Sequence, residues 1–410
     1  MTTQYTQIAS PERPFQFQDG SCLDQVDMAW KSWGTLSSRG DNAILLFPVL
    51  TSSHHAAGFD AEGPGVDWWT SDCHAGWWDD FIGPDKALDT NHFCVICPSF
   101  LGGCYGSTGP TSVNQATGTA WSSSFPFPHI SDLVDAYIRL LDRLGIDCLH
   151  SIVGASFGGY LALDFALRYP DRTQRVVSIA SGLRVTPAMK LANFQQVMAI
   201  ESQLGNASES KHPVERACHG LALARMIAIQ QYIVADSVDT YCGTKIDHAL
   251  KPQGHFPLSQ PLESWLLHQG KKFAQRFDSH SYLRLLHAWQ SWNLHFCELE
   301  AEPTFSPCRS QKWLVFSIDS DVCFPPLEQS LLRWRLSAAN VAVRFVPIVS
   351  RLGHDSFIQE ANLYTNELQS FFTRTSALAD DPTDISEIGR LYPSSSLRRL
   401  RHNLQSAETA

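Results

Sequence analysis

Short apolar runs recur along the chain, and each is bounded by turn-forming residues. The runs predict strands at residues 42–50, 92–100, 149–153, 175–180, 312–318 and 342–348. They are apolar over most of their length, which is typical of strands that are covered on both faces in a parallel sheet. The sequence therefore predicts a sheet buried between two layers.

Helical patterns lie between several of these runs. In residues 131–144 the apolar side chains, among them Leu133, Tyr137 and Leu140, follow the 3.6-residue period of a helix. Residues 158–169 form a second pattern of this kind. Strands that alternate with helices indicate a right-handed, mostly parallel, doubly wound α/β sheet.

The pattern changes between about residues 186 and 300, where strand signals give way to helix-forming residues, with predicted helices at 216–234 and 262–292. A helical insertion of this kind commonly forms a lid over the ligand site at the carboxyl ends of the strands. We expect three parts, which are a core of residues 1–185 and 301–375, a helical lid domain of residues 186–300, and a polar tail of residues 376–410.

Composition restricts the class of function. The 410 residues are 44% apolar and 11% aromatic, enough for a large core, and the formal net charge is −10. That charge argues against nonspecific nucleic-acid binding, which requires a basic surface. The eleven cysteines have no framework spacing, the N-terminal segment is polar, and no apolar run approaches a membrane span. We expect a cytoplasmic protein with reduced thiols and neither a nucleic acid nor a membrane as partner.

Two local patterns are typical of metal or redox sites, but their context argues against that chemistry. Cys94 and Cys97 form a CxxC inside a predicted buried strand, where cysteine packs as a small apolar residue, and no second CxxC follows. His54 and His55 are adjacent, so they point in different directions on a helix or a strand. We expect no metal site.

The strongest chemical signal is the motif GASFGG at residues 154–159. It follows the predicted strand 149–153 and precedes a helical pattern. This context resembles the nucleophile elbow of the α/β-hydrolase fold, in which glycines permit a turn too tight for side chains and the turn exposes a serine hydroxyl. The motif predicts an α/β-hydrolase fold with a helical lid insertion and Ser156 as the nucleophile of an acyl-transfer enzyme.

A nucleophilic serine needs a base and an acid that orients the base, and in this fold they follow in the order Ser, Asp, His. The predicted strand 342–348 is followed by His354, which we predict to be the base. The predicted strand 312–318 is followed by both Asp319 and Asp321. The residues alone leave these two carboxylates as alternatives for the orienting acid.

An oxyanion hole needs two backbone donors. The first is the amide that follows the nucleophile, which belongs to Phe157, and the second comes from the loop after an early strand. That loop is residues 48–53, and Leu50 or its neighbour is the predicted second donor.

Several segments carry a resemblance to one enzyme family. The segment LGGCYGSTGP at residues 101–110 resembles the signature of homoserine O-acetyltransferases. Other matching segments, in family order, are GWW at 76–78, IGP at 82–84, the elbow, QGKKF at 269–273, RFD at 276–278, SYL at 281–283 and GHD at 353–355. The resemblance runs from about residue 15 to residue 372, so it extends well beyond a shared fold.

The resemblance implies roles for individual residues. The family's S-D-x-x-F-P motif falls on residues 320–325, which implies Asp321 as the orienting acid. It also implies that the amides of Leu50 and Phe157 form the oxyanion hole.

The same resemblance implies a pocket for an amino acid. Arg225 and Tyr232 match an Arg and a Tyr on a lid helix, and their spacing places both on one face of that helix. Arg225 would hold the substrate carboxylate with two hydrogen bonds, and Asp355 would pair with the substrate ammonium group.

Two positions depart from the family pattern. The family usually has HALTG where this chain has PVLTS at residues 48–52, and it usually has Met at the position of Phe157. Both departures lie beside the expected acyl site, so they leave the acyl donor and the acceptor open. The related L-serine O-acyltransferases and deacetylcephalosporin acetyltransferases share the same framework.

The sequence thus predicts an O-acyltransferase that moves an acyl group, preferably acetyl, from acyl-CoA to homoserine by a ping-pong mechanism through Ser156. Acetyl-CoA or succinyl-CoA would be a co-substrate, with no permanently bound cofactor, and the product would serve methionine or cysteine biosynthesis. The alternatives are an L-serine O-acyltransferase, a carboxylic-ester hydrolase with the same triad, and a non-catalytic binding protein. The resemblance also implies a homodimer.

Overall fold

The computed structural model describes residues 2–204, 213–234, 237–250, 257–292, 294 and 304–373. The predicted tail of residues 376–410 lies outside these residues. The main sheet contains β1 (Gln4–Ala9), β2 (Val26–Trp33), β3 (Ala43–Phe47), β4 (Cys94–Pro98), β5 (Ser151–Ala155), β6 (Arg175–Ile179), β7 (Lys312–Ile318) and β8 (Ala342–Ile348). Three pairs of short strands stand apart from it: Phe15–Gln16 with Cys22–Leu23, Ile82–Gly83 with Leu88–Asp89, and Val113–Asn114 with Thr119–Ala120.

The eight strands are ordered β1-β2-β4-β3-β5-β6-β7-β8 across the sheet. Strand β2 pairs antiparallel with both β1 and β4, and all other neighbours are parallel. Strands β4 and β5 lie on opposite sides of β3, so the direction of winding reverses between β3 and β5. Ligands bind at the carboxyl ends of strands at such a reversal. The predicted mostly parallel, doubly wound sheet is confirmed.

The continuous apolar character of the central strands follows from burial on both faces. Every residue of β3 is buried, and its side chains alternate between two clusters. Ala43, Leu45 and Phe47 pack on one face, while Ile44 and Leu46 pack on the other. Fully burying such a Leu or Ile side chain contributes about 1.5–3 kcal/mol. If apolar and polar residues alternated along β3, the polar side chains would all point to one face of the sheet and could not pack into the apolar cluster there.

Helices cover both faces of the sheet. The helices are α1 (Ile130–Arg143), α2 (Phe157–Arg168), α3 (Pro187–Leu204), α4 (Pro213–Tyr232), α5 (Val238–Cys242), α6 (Pro261–Arg276), α7 (Ser279–Ser291), α8 (Pro326–Ala338), α9 (Ser356–Gln359) and α10 (Thr365–Thr373). Short 3₁₀ helices are Ser71–Cys73, Asp79–Phe81, Ser122–Ser124, Pro170–Arg172, Ser306–Ser310, Gly353–Asp355 and Ala361–Leu363. Helices α1, α2 and α8 pack into one apolar cluster, and α10 packs into the other. Among the described helices, none is long and apolar enough to cross a membrane.

The segment between β6 and β7 is helical where it is described. Helix α4 packs against both α3 and α6. The stretch 262–292 that was predicted to be helical forms two helices, α6 and α7, because the helix is interrupted at Phe277 and Asp278. The Asp278 carboxylate accepts a hydrogen bond of 2.7 Å from the Ser281 N–H and so caps a new helix, α7. The division into core and lid domains stays a prediction.

Candidate active site

The nucleophile elbow lies between β5 and α2. Ser156 has φ 53° and ψ −125°, a backbone conformation that residues with a side chain rarely adopt. The surrounding glycines make this turn possible. A Cβ on Gly154 would lie 2.2 Å from the Gly158 carbonyl oxygen, and one on Gly159 would lie 2.3 Å from the Ser181 side chain. A side chain at Gly154 would therefore collide with the helix that follows the strand, and one at Gly159 would collide with Ser181.

Ser156, His354 and Asp321 form a continuous hydrogen-bonded chain. Ser156 Oγ lies 2.7 Å from His354 Nε2, and His354 Nδ1 lies 2.7 Å from Asp321 Oδ2. The exposed fractions of the three residues are 5%, 3% and 3%. Because Nδ1–H donates to the carboxylate, Nε2 is left to accept the serine proton. This is the geometry that a serine nucleophile and its base require.

The two candidate carboxylates after β7 have different partners. Asp321 Oδ2 faces the imidazole, and its Oδ1 accepts a hydrogen bond of 2.8 Å from the Phe324 N–H. Asp319 instead accepts a hydrogen bond of 3.0 Å from the Ser350 N–H. The structure therefore places Asp321 against His354, and Asp319 ties the loop after β7 to the loop after β8.

Aromatic rings fix the position of the imidazole. The ring centroids of Tyr232 and Phe324 lie 5.8 Å and 5.3 Å from that of His354, each nearly parallel to it, and Phe357 meets it edge-on at 5.2 Å. Gly353 has φ 63°, and a Cβ there would lie 3.0 Å from the Tyr232 carbonyl oxygen. The end of α4 thus packs directly on the loop that carries His354.

The two backbone amides predicted as oxyanion donors have no hydrogen-bond acceptor among the described residues. Leu50 follows β3, is 5% exposed, and belongs to a turn in which the Ser52 N–H donates to the Val49 carbonyl at 2.9 Å. Phe157 is the first residue of α2. Within the described residues neither the Leu50 nor the Phe157 amide donates a hydrogen bond. Both predicted donors are therefore available.

A cavity of about 350 Å³ adjoins this group. Charged residues of both signs line it, and they include Arg225, Lys272, Arg276, Asp72 and Asp355. The lining includes the neighbours of Leu50 and His354 in the chain, although Ser156 itself does not border the cavity. The cavity therefore reaches residues next in the chain to Leu50 and His354.

Two of the three predicted substrate residues, Arg225 and Asp355, line this cavity from different elements, whereas Tyr232 does not border it. The Arg225 guanidinium lies 5.5 Å from the ring centroid of Tyr232 and 5.3 Å from that of Phe273. Burial raises the pKa of Asp355, while the charges of His354 and Arg225 act in the opposite direction. Lys272 is paired with Asp72 at 3.0 Å. Arg225 and Asp355 thus offer opposite charges to a ligand.

Sequence reasoning did not assign a role to Arg276 or Tyr105. Arg276 Nη1 donates to the Thr51 carbonyl at 3.0 Å and to the Tyr105 hydroxyl at 3.1 Å. The Tyr105 hydroxyl in turn donates to the Arg276 carbonyl at 2.6 Å. Both residues lie in segments that carry the family resemblance, but the resemblance gave no indication that the two side chains contact each other. Together they connect the end of α6 to the loop after β3.

The adjacent histidines are buried beside that loop rather than exposed. His55 lines the cavity, with Nε2 3.0 Å from the His74 carbonyl and Nδ1 3.2 Å from the buried Lys31 ammonium. Burial, reinforced by the charge of Lys31, lowers the pKa of His54 to about 3. The described residues contain no group of three or more His, Cys, Asp or Glu side chains arranged to hold a metal ion.

Sequence comparisons agree with this geometry. A family model for the alpha/beta hydrolase fold matches residues 72–213. The chain is 36% identical over 373 residues to a homoserine O-acetyltransferase of Methanohalobium evestigatum, covering 91% of this chain and 73% of the relative. It is 35% identical over 373 residues to a homoserine O-succinyltransferase of Azoarcus sp., covering 90% of this chain and 96% of the relative.

Solved structures share the fold. Esterase E22 superposes with a TM-score of 0.77 at 25% identity, covering 90% of this chain and all (100%) of that one. A homoserine O-acetyltransferase from Bacillus anthracis superposes with a TM-score of 0.78 at 21% identity, covering 92% of this chain and 100% of that one. The predicted α/β-hydrolase fold is confirmed.

Proposed function

The chain belongs to the family of homoserine O-acetyltransferases and O-succinyltransferases, which are O-acyltransferases with the α/β-hydrolase fold, and we propose that it acylates the side-chain hydroxyl of L-homoserine through Ser156. The observation that carries this proposal is the chain of contacts from Ser156 through His354 to Asp321, beside a cavity lined by Arg225 and Asp355.

In the first half of the reaction Ser156 takes the acyl group. His354 Nε2 accepts the serine proton, and Ser156 Oγ attacks the thioester carbonyl of acyl-CoA. The amides of Leu50 and Phe157 hold the tetrahedral oxyanion, which typically contributes about 3–4 kcal/mol per donor. The C–S bond then breaks, and His354 returns the proton to the coenzyme A thiolate. Asp321 orients the imidazole and stabilises its positive charge.

In the second half the acyl group moves to the amino acid. His354 accepts the proton of the homoserine hydroxyl, whose oxygen attacks the acyl-Ser156 carbonyl. The ester bond to Ser156 breaks, and Ser156 regains a proton from His354. Arg225 holds the homoserine carboxylate, Asp355 holds its ammonium group, and Tyr232 lies between Arg225 and the imidazole. The O-acylhomoserine that forms is suited to methionine biosynthesis.

Acetyl is the acyl group that we propose. Phe157 packs its ring against Phe100 at 5.5 Å and Trp289 at 6.0 Å, and Trp289 stacks on Phe324 at 6.0 Å. We infer that this aromatic cluster, which includes the residue after the nucleophile, bounds the acyl group. Apolar surroundings suit a methyl group, whereas burying an unpaired succinyl carboxylate there would be costly. The named relatives include both acetyl and succinyl enzymes at similar identity.

A substrate panel tests the proposal. Acetyl-CoA and succinyl-CoA are each offered with homoserine, serine or water as acceptor, and thiol release is followed. We expect release that depends on homoserine, parallel-line kinetics and preference for acetyl-CoA. Ser156→Ala should abolish the reaction, because no acyl-enzyme forms. A carboxylic-ester hydrolase, which the likeness to esterase E22 makes the second candidate, would release thiol at a rate that no amino acid changes.

A further inference from the structure

The loop after β3 contains a turn that leaves one amide unused. The Ser52 N–H donates to the Val49 carbonyl at 2.9 Å, and Leu50 and Thr51 are the central residues. The hydrogen bond of a β-turn joins its first and fourth residues, so the N–H of the second residue is not consumed. Here that second residue is Leu50. The turn therefore presents the Leu50 N–H as a donor.

The Ser52 side chain contacts the same carbonyl. Ser52 Oγ donates to the Val49 oxygen at 2.9 Å, so this oxygen accepts two hydrogen bonds from one residue. The Val49 C=O and the Leu50 N–H belong to one peptide group, which is planar. Holding the oxygen at one end of this plane therefore fixes the direction of the N–H at the other end.

The hydrogen bond from the Ser52 hydroxyl also polarises the Val49–Leu50 peptide group. Hydrogen bonds in a chain polarise one another, so a carbonyl that accepts a bond leaves its own amide N–H a stronger donor. The effect is larger where water is excluded, and Ser52 is only 8% exposed. The resembling family usually has Gly at this position, which carries no hydroxyl.

We propose that Ser52 is a positioning residue, whose hydroxyl fixes and polarises the Val49–Leu50 peptide group as the oxyanion donor. The inference rests on the proposed function, because it takes Leu50 as one of the two donors. Ser52 acts through the Leu50 amide, without touching the reacting atoms. Its contribution appears when negative charge develops on the acyl oxygen, and not when substrate binds.

The neighbouring serine provides a matched control. Ser53 is 7% exposed, and its Oγ accepts a hydrogen bond of 3.1 Å from the His55 N–H instead of contacting the Val49 carbonyl. Ser52→Ala and Ser53→Ala each remove one buried hydroxyl from the same loop. Ser52→Thr keeps a hydroxyl and tests for rescue. Thermal unfolding of each variant shows whether the loop's contribution to stability has changed.

The measurement is the rate at which p-nitrophenyl acetate acylates Ser156, together with the affinity for a trifluoromethyl ketone that forms a tetrahedral adduct with it. For Ser52→Ala we expect both quantities to fall about three- to tenfold, the range that one neutral hydrogen bond corresponds to. The KM for acyl-CoA should stay close to that of the unmodified protein. Ser53→Ala should keep the unmodified acylation rate, and Ser52→Thr should recover most of it.

Two outcomes would overturn the proposal. One is a Ser52→Ala variant with unchanged acylation and unchanged ketone affinity. The other is a higher KM for homoserine without slower acylation, which would place the hydroxyl in contact with the acceptor. An enzyme that the ester acylates but that transfers nothing to homoserine would contradict the proposed function alone, because the role of Ser52 is still measured on the ester.

Discussion

At the scale of single residues, the two aspartates after β7 are distinguished by their hydrogen-bond partners. Asp321 faces His354, and Asp319 binds the Ser350 amide. For Asp321→Asn we expect kcat to fall by about 10⁴-fold, because an amide can hold the imidazole in the wrong tautomer and cannot stabilise its charge. Steady-state acyl transfer measures this loss. Asp319→Asn keeps an acceptor for Ser350 and is the control, so comparable losses in both variants would refute the assignment.

Asp355 makes a pH dependence testable. Burial raises the pKa of its carboxyl group, and the protonated form cannot pair with the substrate ammonium. As the pH falls, Asp355 takes up its proton earlier than an exposed aspartate does, so we expect the KM for homoserine to rise while the KM for acyl-CoA stays constant. Asp355→Asn should raise this KM at neutral pH and remove its dependence on pH. A profile for Asp355→Asn that still matches the unmodified protein would contradict this role.

At the scale of elements, one arginine joins the helical segment to the loop after β3. Arg276, the last residue of α6, donates to the Thr51 carbonyl, and Tyr105 holds its guanidinium. Hydrogen bonds from charged groups contribute roughly 1.5–3 kcal/mol, so we expect Arg276→Met to slow acylation by p-nitrophenyl acetate about tenfold or more. Tyr105→Phe leaves the Thr51 contact in place and should cost less. If Tyr105→Phe lost more acylation rate than Arg276→Met, the loop after β3 would depend on the Tyr105 hydroxyl and not on the Arg276 contact.

Most of the strands that the sequence predicted are buried along nearly their whole length. All six predicted strands correspond to β3–β8. Every residue of β3–β6 is buried, as is all of β7 except Lys312, which makes these strands mostly apolar, whereas β8 has only two buried residues and includes Arg344. Strands β1 and β2 were not predicted. Strand β2 contains Lys31, which is buried against Asp60 and His55, more than twenty residues away in the chain. A charged residue that is buried by distant partners leaves no apolar pattern in its own segment.

The buried histidines affect the stability of the whole molecule. The pKa of His54 in the folded protein is lowered to about 3, whereas its pKa in the unfolded chain is the ordinary 6.5. Between these two pH values the His54 side chain is therefore protonated in the unfolded chain but not in the folded protein. The unfolded state then binds more protons, and His54 makes the fold less stable as the pH falls from 6.5 towards 3. Asp164, whose pKa burial raises to about 6, acts in the opposite direction between that pH and 3.8.

Comparing the unmodified protein with His54→Gln isolates the contribution of His54 to the pH dependence of stability. We expect the Tm of the unmodified protein to fall further between pH 7 and pH 5 than that of His54→Gln, because the variant lacks the group that protonates only when unfolded. The contribution of Asp164 is the same in both and cancels. Calorimetry at the two pH values measures the difference. Equal shifts in the two proteins would show that His54 is protonated in the fold.

At the scale of the whole molecule, the oligomeric state is still a prediction. The resemblance implies a homodimer, and the structure describes one chain. Helix α3 exposes Leu191, Phe194 and Met198, with exposed fractions of 68%, 58% and 50%, at the spacing of one helix face. Sedimentation of the purified protein would decide whether a second copy of the chain is present.

The sequence by itself determined the strand–helix alternation, the elbow at Ser156 and the positions of His354 and the aspartates at strand ends. These features follow from local rules, since burial sets apolar patterns and a tight turn demands glycine. The residue types alone left Asp319 and Asp321 open, the family resemblance implied Asp321, and the tertiary structure shows that it faces His354. Only the tertiary structure decided that Arg276 reaches Thr51 and that Ser52 and its own backbone hold the Val49 carbonyl. A hydrogen bond such as that from Arg276 to Thr51 joins residues that are distant in the chain, and the one from Ser52 to Val49 depends on the exact turn conformation, so residue types and spacing encode neither.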